Sequence, residues 1–184
     1  MRCFGEGDPL YERYHDEEWG VPVRDERGLY ERISLEAFQS GLAWITVLRK
    51  REGFRAAFAG FDPAVVATFG PDDVDRLLQN SDIIRNRAKI EATIANACAL
   101  LDLREAGESL PELVWSFAPP PRPAPVRTLA DLPATTPESV ALAKALKQRG
   151  FRFVGPTTAY AAMQACGLVD DHLAGCLVRS RTRR

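Results

Sequence analysis

Residues 149–158 read Arg-Gly-Phe-Arg-Phe-Val-Gly-Pro-Thr-Thr, a short apolar turn between two helical patterns. Thr136-Pro137 opens the first helix, Gly150 ends it, and Pro156 begins the second. Such a turn exposes backbone N–H groups at the start of the second helix, where they can bind an anion. Four basic residues surround it: Lys144, Lys147, Arg149 and Arg152. The pattern predicts a hairpin that binds DNA phosphates without reading sequence, the alternative being an ordinary antiparallel helix corner.

The rest of the chain is also predicted to be helical, because apolar residues recur every three or four positions. No stretch shows the strict alternation of apolar and polar residues that is typical of a β-strand. Asp8-Pro9 predicts a helix start. Leu29, Ile33 and Ala37 form the apolar stripe of a second helix, which Gly41 ends or bends. A third helix is predicted from Trp44 to about Phe58, and the longest amphipathic pattern covers residues 86–106. The fold class is therefore predicted to be all-α.

A proline-rich segment interrupts these helices at residues 119–125, where five of seven residues are proline. Proline has no backbone N–H, so the segment is predicted to be a stiff, extended connector. It could be a ligand for a proline-binding module. Helices on both sides favour a crossover within one domain instead. We therefore expect residues 1–184 to form a single domain.

The charge of the chain is nearly balanced, with 24 Lys and Arg against 25 Asp and Glu and a net charge of −1. That total argues against a nucleic-acid partner. The charge is unevenly distributed, however, since the net charge is −5 over residues 1–36 and +6 over residues 144–184. The basic residues at the end are either a solvated terminus or part of a phosphate-binding surface: Arg179, Arg181, Arg183 and Arg184. No apolar run suits a membrane helix or a secretory signal, so a cytoplasmic protein is expected.

The two histidines and two of the four cysteines form the clearest chemical pattern. His15 lies twelve residues after Cys3, and His172 lies four before Cys176, a spacing that places both side chains on one helix face. Two donors from each end make a Cys₂His₂ set, which favours a closed, structural zinc site. The alternative is that Cys3 is an unligated thiol near the N-terminus and that His15 only packs against its neighbours. The remaining cysteines are predicted to be core residues: Cys98 and Cys166.

Aromatic residues cluster in the first third of the chain, near one carboxylate and one amide. The aromatic residues are Tyr11, Tyr14, Trp19, Phe38 and Trp44, and the polar ones are Glu36 and Gln39. Each aromatic alone is more typical of a core. The mixture, however, is typical of a cage for a flat, positively charged ring, since ring faces attract cations and a carboxylate orients an N–H donor.

Three separated motifs resemble the DNA-3-methyladenine glycosylase I family: residues 8–20, residues 35–48, and residues 151–155 with 163–172. The resemblance implies a helix-hairpin-helix glycosylase that excises 3-methyladenine from alkylated double-stranded DNA in base excision repair. It also implies structural zinc on Cys3, His15, His172 and Cys176. A monomer is the default expectation for a protein that scans DNA, and no obligate protein partner is expected. The sequence departs from the family in a Cys3-to-His15 interval one residue shorter and in Phe4-Gly5 where a tryptophan is expected.

The same resemblance assigns roles to individual residues. Glu36 is the catalytic candidate, which accepts a hydrogen bond from the amino edge of the base and favours its positive charge. Trp44 stacks on the base, and the remaining walls of the site are Tyr11, Tyr14, Trp19 and Gln39. Leu42, beside Gly41, is the wedge that fills the gap left by a flipped nucleotide. The hairpin residues assigned to DNA are Arg149, Gly150, Phe151, Gly155 and Thr157.

Two further acidic residues, Asp170 and Asp171, follow the second hairpin helix, where related glycosylases place an aspartate that orients water. The resembled family works without that aspartate, so Asp171 is expected to support the metal ligand His172 instead. Two rival interpretations remain for the whole chain. One is a non-enzymatic, DNA-binding helical module with a structural zinc, and the other is a zinc-stapled protein-interaction domain whose aromatic cluster is core.

Overall fold

The computed structural model describes residues 1–179, and its regular structure is helical. The only β contact recorded there is an isolated parallel bridge between Val126 and Leu173, so the all-α prediction is confirmed. No helix in these residues combines the length and apolar character that a membrane crossing requires. The helices are α1 Pro9–Glu17, α2 Glu26–Gln39, α3 Trp44–Arg49, α4 Arg51–Ala57, α5 Pro63–Val66, α6 Pro71–Gln79, α7 Arg87–Glu105, α8 Leu110–Trp115, α9 Pro137–Gln148 and α10 Pro156–Ala165.

Several helices begin where the sequence predicts, because a polar side chain satisfies the first free N–H groups. Asp8 accepts hydrogen bonds from the N–H groups of Leu10 and Tyr11 at the start of α1. Thr136 accepts one from Ser139 at the start of α9, where Pro137 supplies a favourable first residue. Asn86 caps α7 in the same way. These caps fix the entry points of the helices that carry the site.

Other expectations need correction. The helix predicted from Trp44 to about Phe58 breaks at Lys50, which separates α3 from α4. Helix α8 was not predicted at all. Cys166 is buried, but Cys98 is exposed on α7 and is no core residue. The connector at 119–125 is non-helical, as expected. The terminal arginines beyond Arg179 lie outside the described residues.

Two hydrophobic clusters organise the molecule. The larger one joins α2, α7, α9 and α10 around fully buried side chains, among them Phe38, Leu100 and Met163. The smaller one brings the two ends of the chain together and contains Cys3 and Cys176, with Phe4 and Trp19 packed against it. The Val126–Leu173 bridge, supported by a 2.7 Å hydrogen bond from Ala174 N to Val126 O, ties the segment after the connector to this smaller cluster.

Helix α7 anchors two loops through buried polar side chains. Lys89 Nζ donates to the carbonyl oxygens of Phe38 (2.9 Å) and Ser40 (2.7 Å), at the end of α2. Asn96 accepts a hydrogen bond from Arg152 N (2.7 Å) and donates one to Arg152 O (3.1 Å), in the hairpin between α9 and α10. These bonds pair backbone groups of the two loops with side chains that are themselves buried. The loop after α2 and the hairpin are therefore fixed to one support.

Candidate functional site

The four predicted metal ligands converge in the smaller cluster. Cys3, His15, His172 and Cys176 are all buried, and their donor atoms lie within 4.8 Å of one another. Cys176 Sγ is 3.5 Å from His15 Nε2 and 3.4 Å from His172 Nδ1, and Cys3 Sγ is 3.6 Å from His172 Nδ1. The local conformation differs from the prediction, since His172 and Cys176 lie in a turn and not on a helix.

These spacings fit a tetrahedral zinc ion. Zinc bonds to sulfur and nitrogen at tetrahedral angles place the two donor atoms about 3.5 Å apart. Three of the four sulfur–nitrogen pairs are separated by 3.4 to 3.6 Å, and all four donor atoms lie within 4.8 Å of one another. The outward ring nitrogens are also engaged: His15 Nδ1 lies 2.8 Å from Asp16 Oδ1, and His172 Nε2 lies 3.2 Å from the Trp19 carbonyl oxygen. Such bonds orient each ring with its other nitrogen towards the cluster. In this structure His15 Nε2 also accepts a hydrogen bond from Cys3 N at 3.1 Å.

Asp171 does not support the metal site, contrary to the expectation from sequence. Its carboxylate accepts hydrogen bonds from Tyr160 Oη (2.5 Å), Gln164 Nε2 (2.9 Å) and Arg122 Nε (2.8 Å). Arg122 belongs to the proline-rich connector, so the buried carboxylate fastens that connector to α10. Asp16, itself bound by Arg2 at 2.9 Å, takes the role expected of Asp171.

A cavity of about 250 Å³ lies beside the metal cluster. It is lined by the six residues assigned to the base: Tyr11, Tyr14, Trp19, Glu36, Gln39 and Trp44. Phe38, the remaining aromatic residue of the predicted cluster, is buried in the larger hydrophobic cluster instead. Helix α1 supplies the tyrosines, α2 supplies the carboxyl and the amide, and α3 begins with the tryptophan. Tyr14 and Trp44 have ring centroids 5.3 Å apart. The six side chains thus form one continuous surface, although they come from separate motifs.

Among the described residues that line the cavity, Glu36 is the only charged one. It is 6% exposed, and burial raises the pKa of its carboxyl to about 8, partly offset by the positive charge of Arg32. A cation placed in the cavity would lower this pKa, because an opposite charge nearby favours the ionised form. The cavity therefore combines aromatic faces with one ionisable group whose charge responds to its occupant.

The sequence did not reveal the ion-pair network behind this cavity. Arg32 donates to Glu18 Oε2 at 2.8 Å, and Arg51 binds both carboxylate oxygens of Glu18. The Arg32 guanidinium also lies 5.7 Å from the centre of the Tyr14 ring. Arg32 precedes Glu36 by four residues on α2, and that helical spacing was the available signal. The network holds a positive charge near Glu36.

The remaining residues of the cavity lining were also missed: Phe4, Leu129, Leu132, Ala161 and Gln164. Phe4 stands where the family resemblance led us to expect a tryptophan, and its ring centroid lies 4.9 Å from that of Tyr11 and 5.0 Å from that of Trp19. The phenyl ring of Phe4, although smaller than the expected indole, therefore still forms part of the cavity wall. Ala161 and Gln164 come from α10, whereas the two leucines come from the segment after the connector.

The loop after α2 presents the predicted wedge. Gly41 has a φ of +84°, which glycine adopts without strain, and Leu42 is 39% exposed. Gln39 Nε2 donates to the Leu42 carbonyl oxygen at 2.7 Å. Because Gln39 also lines the cavity, one side chain connects the cavity to the wedge loop.

The hairpin between α9 and α10 has the expected form, and its predicted residues divide into buried and open positions. Gly150 turns the chain with a φ of +87°, and Phe151 is buried beneath it. Gly155 and Thr157 are exposed at the start of α10, and a Cβ added to Gly155 would meet no atom within 4 Å. Arg149 is already paired with Glu108, its Nε lying 2.7 Å from Oε2. The backbone, more than Arg149, is therefore available to an anion.

Comparisons with known proteins agree with this arrangement. A family model described as methyladenine glycosylase matches residues 4–180. Over 170 residues the chain is 54% identical to "DNA-3-methyladenine glycosylase 1" of Escherichia coli (strain K12), an alignment covering 92% of this chain and 91% of that protein. It superposes on a crystal structure of 3-methyladenine DNA glycosylase I with a TM-score of 0.93 and 54% identity, covering 96% and 98% of the two chains. It also matches a Staphylococcus aureus structure that describes 3-methyladenine recognition, with a TM-score of 0.91, 35% identity, and coverage of 96% and 95%.

Proposed function

The chain belongs to the methyladenine glycosylase family, and from this premise we propose that it excises 3-methyladenine from alkylated duplex DNA, with Glu36 recognising the base. One observation carries the assignment: the aromatic cavity is lined by one buried carboxyl and by no other charged residue of the described part of the chain. A flat cation satisfies both features, because aromatic faces and a carboxylate each attract positive charge.

Base recognition follows from the position of Glu36. Its carboxylate accepts a hydrogen bond from the exocyclic amino group of adenine, whereas guanine presents a carbonyl oxygen at that edge and would leave the carboxylate unpaired. Trp44 stacks on one face of the ring, and Tyr11, Tyr14 and Trp19 form the other walls. The 3-methylated nucleotide is cationic while unmodified adenine is neutral, so the charge of Glu36 selects the lesion.

Cleavage needs little proton transfer, since the methylated base leaves as a neutral molecule. The bond between the sugar C1′ and the base N9 breaks with both electrons going to the base, and the positive charge passes to the sugar. Water then adds to the sugar carbon and releases a proton. Glu36 favours this course by holding the cationic base in the cavity with its reactive bond exposed. No second carboxylate is required as an acid.

The base reaches the cavity only after the nucleotide leaves the helical stack. We assign Leu42 to fill the gap, supported by its exposure on the loop that Lys89 anchors. The hairpin binds the phosphate backbone through Gly155 and Thr157, at the start of the ten-residue helix α10. Phosphate contacts position the enzyme, and the cavity supplies the selectivity.

The metal cluster is proposed to hold a structural zinc through Cys3, His15, His172 and Cys176. Four protein ligands leave no position for water, so the ion contributes stability and not catalysis. Phe4 follows Cys3, and the Trp19 carbonyl oxygen faces His172, which places two walls of the base cavity beside the metal ligands. We further propose that the protein acts as a monomer on DNA without an obligate protein partner, in the cytoplasm, where thiols stay reduced.

The proposed activity has a direct test. Purified protein incubated with methylated duplex DNA should release free 3-methyladenine, measured by chromatography of the soluble bases, while unmodified adenine stays in the polymer. Release of no base, with DNA binding retained, would instead favour a non-enzymatic DNA-binding module. Loss of both activities would favour a protein-interaction domain.

The pH dependence of the reaction should follow the ionisation of Glu36. The carboxylate attracts the cationic base only when ionised, so kcat/KM should rise with pH and level off above about 8. The groups around it keep their charge in this range, since the pKa of Arg32 is raised, and burial raises the pKa values of Tyr11 and Tyr14. A Glu36→Gln variant should lose this rise. An identical rise in that variant would assign the ionisation to another group.

A further inference from the structure

Phe153 is an exposed aromatic residue in an unfavourable backbone conformation. It lies in the hairpin between α9 and α10 with a φ of +55°, in the left-handed region that non-glycine residues seldom adopt. Its side chain is 46% exposed, while its neighbours Phe151 and Val154 are buried. The turn therefore directs one phenyl ring outwards at the expense of backbone strain.

A buried side chain holds this conformation in place. Asn96, which is almost completely buried, binds both the N–H and the carbonyl oxygen of Arg152, the residue before Phe153. Stability alone would be better served by glycine at position 153, because glycine adopts a positive φ without a Cβ clash. Strained residues held by their surroundings are concentrated at functional sites, and the exposure of this ring indicates a binding role.

The position of the hairpin indicates what the ring contacts. Lys89, which anchors the wedge loop, and Asn96, which anchors the hairpin, are seven residues apart on α7. Seven residues make almost two full turns, so both side chains lie on one face of the helix, about 10 Å apart along its axis. The loops of Leu42 and Phe153 are thus supported by the same face, and each carries an exposed apolar side chain.

Charge around the hairpin suits a polyanion. Lys144, Lys147 and Arg152 are exposed, and none of them forms an ion pair with another residue of the described chain. Arg149, in contrast, is held by Glu108. Three unpaired cations beside an exposed phenyl ring complement a phosphate backbone with an apolar sugar between its phosphates.

We propose that Phe153 is a DNA-contacting residue whose ring packs against a deoxyribose beside the phosphates bound by the hairpin. The proposal rests on the function proposed above and adds to it a second apolar contact, separate from the wedge Leu42. On this proposal the strained turn at Phe153 takes part in DNA binding, and Asn96 is the residue that positions the turn. The contact is sequence-independent, because every nucleotide carries the same sugar.

The test compares Phe153→Gly with Phe153→Tyr. Fluorescence anisotropy with undamaged duplex should show affinity of the glycine variant reduced by about fivefold, the effect of losing burial of roughly half a phenyl side chain. The tyrosine variant keeps the ring and should retain wild-type affinity. The melting temperature of the glycine variant should not fall, because the substitution relieves strain.

Two other variants separate the contact from a general loss of structure. Phe153→Asn tolerates the left-handed conformation but lacks the ring, so it should bind DNA as weakly as the glycine variant. Val140→Ala removes a side chain that is 47% exposed at the far end of α9 and should leave DNA affinity unchanged. Wild-type affinity in the glycine and asparagine variants, or weak binding by the tyrosine variant, would overturn the proposal. Failure of the proposed function would appear separately, as absence of base release by the wild-type protein.

Discussion

Replacement of Glu36 by glutamine is expected to lower kcat/KM for release of 3-methyladenine by at least about tenfold, or about 1.4 kcal/mol of transition-state stabilisation. Glutamine keeps the size of the side chain and one hydrogen-bond acceptor but cannot carry a negative charge. The loss therefore measures the electrostatic attraction for the cationic base. Initial rates of base release at pH 8, where the wild-type carboxyl is substantially ionised, give the comparison.

Stability separates this result from unfolding. The pKa of Glu36 is raised in the folded protein, so its ionisation opposes folding and the wild type loses stability as pH rises from about 4.5 towards 8. The glutamine variant escapes this cost and should melt no lower than the wild type at pH 8. Glu105→Gln removes an equal charge from an exposed position on α7 and should leave the rate unchanged. Unchanged release by Glu36→Gln would exclude a charge-based role for that carboxyl.

The Cys/His cluster and the aromatic walls of the cavity were predictable from sequence for different reasons. The ligands stood out because the chain has only two histidines, each spaced from a cysteine. Their geometry was right although the helix assumed for His172 and Cys176 was wrong, since a turn can also bring two donors together. Tyr11 and Tyr14 came from α1, where spacing along the helix predicts a shared face, Trp19 lies in the turn after it, and Trp44 begins α3.

Leu129 and Leu132 could not be predicted as parts of the cavity, because they belong to a single short 3₁₀ turn, Leu129–Asp131 with its C-cap Leu132, that has no amphipathic pattern of its own. Their position depends on the long-range contact between Val126 and Leu173, which no local pattern records. Lys89 and Asn96 were missed for a related reason. Each is a polar residue on the amphipathic helix α7, and a polar side chain that satisfies a distant loop looks in sequence like one that faces water.

Replacement of Cys176 by alanine is expected to abolish stoichiometric zinc binding and to lower the melting temperature by on the order of 10 °C. The cluster joins Cys3 to Cys176, so a bound ion restricts the unfolded chain much as a disulfide between its ends would. Its loss also leaves two imidazoles and one thiol buried without their common partner. Atomic emission measures the zinc, and calorimetry with and without a chelator measures the stabilisation.

Cys166→Ala is the matched control, because it also removes a buried thiol but lies outside the ligand cluster. It should keep one zinc per chain and lose only the packing of a small side chain. The position of Phe4 and Trp19 beside the ligands adds a second consequence: the Cys176→Ala variant should bind free 3-methyladenine more weakly, whereas the Cys166 variant should not. Full zinc content in the Cys176 variant would remove that residue from the ligand set. Zinc loss with an unaltered cavity would instead show that the small hydrophobic cluster holds the base-binding walls without the ion.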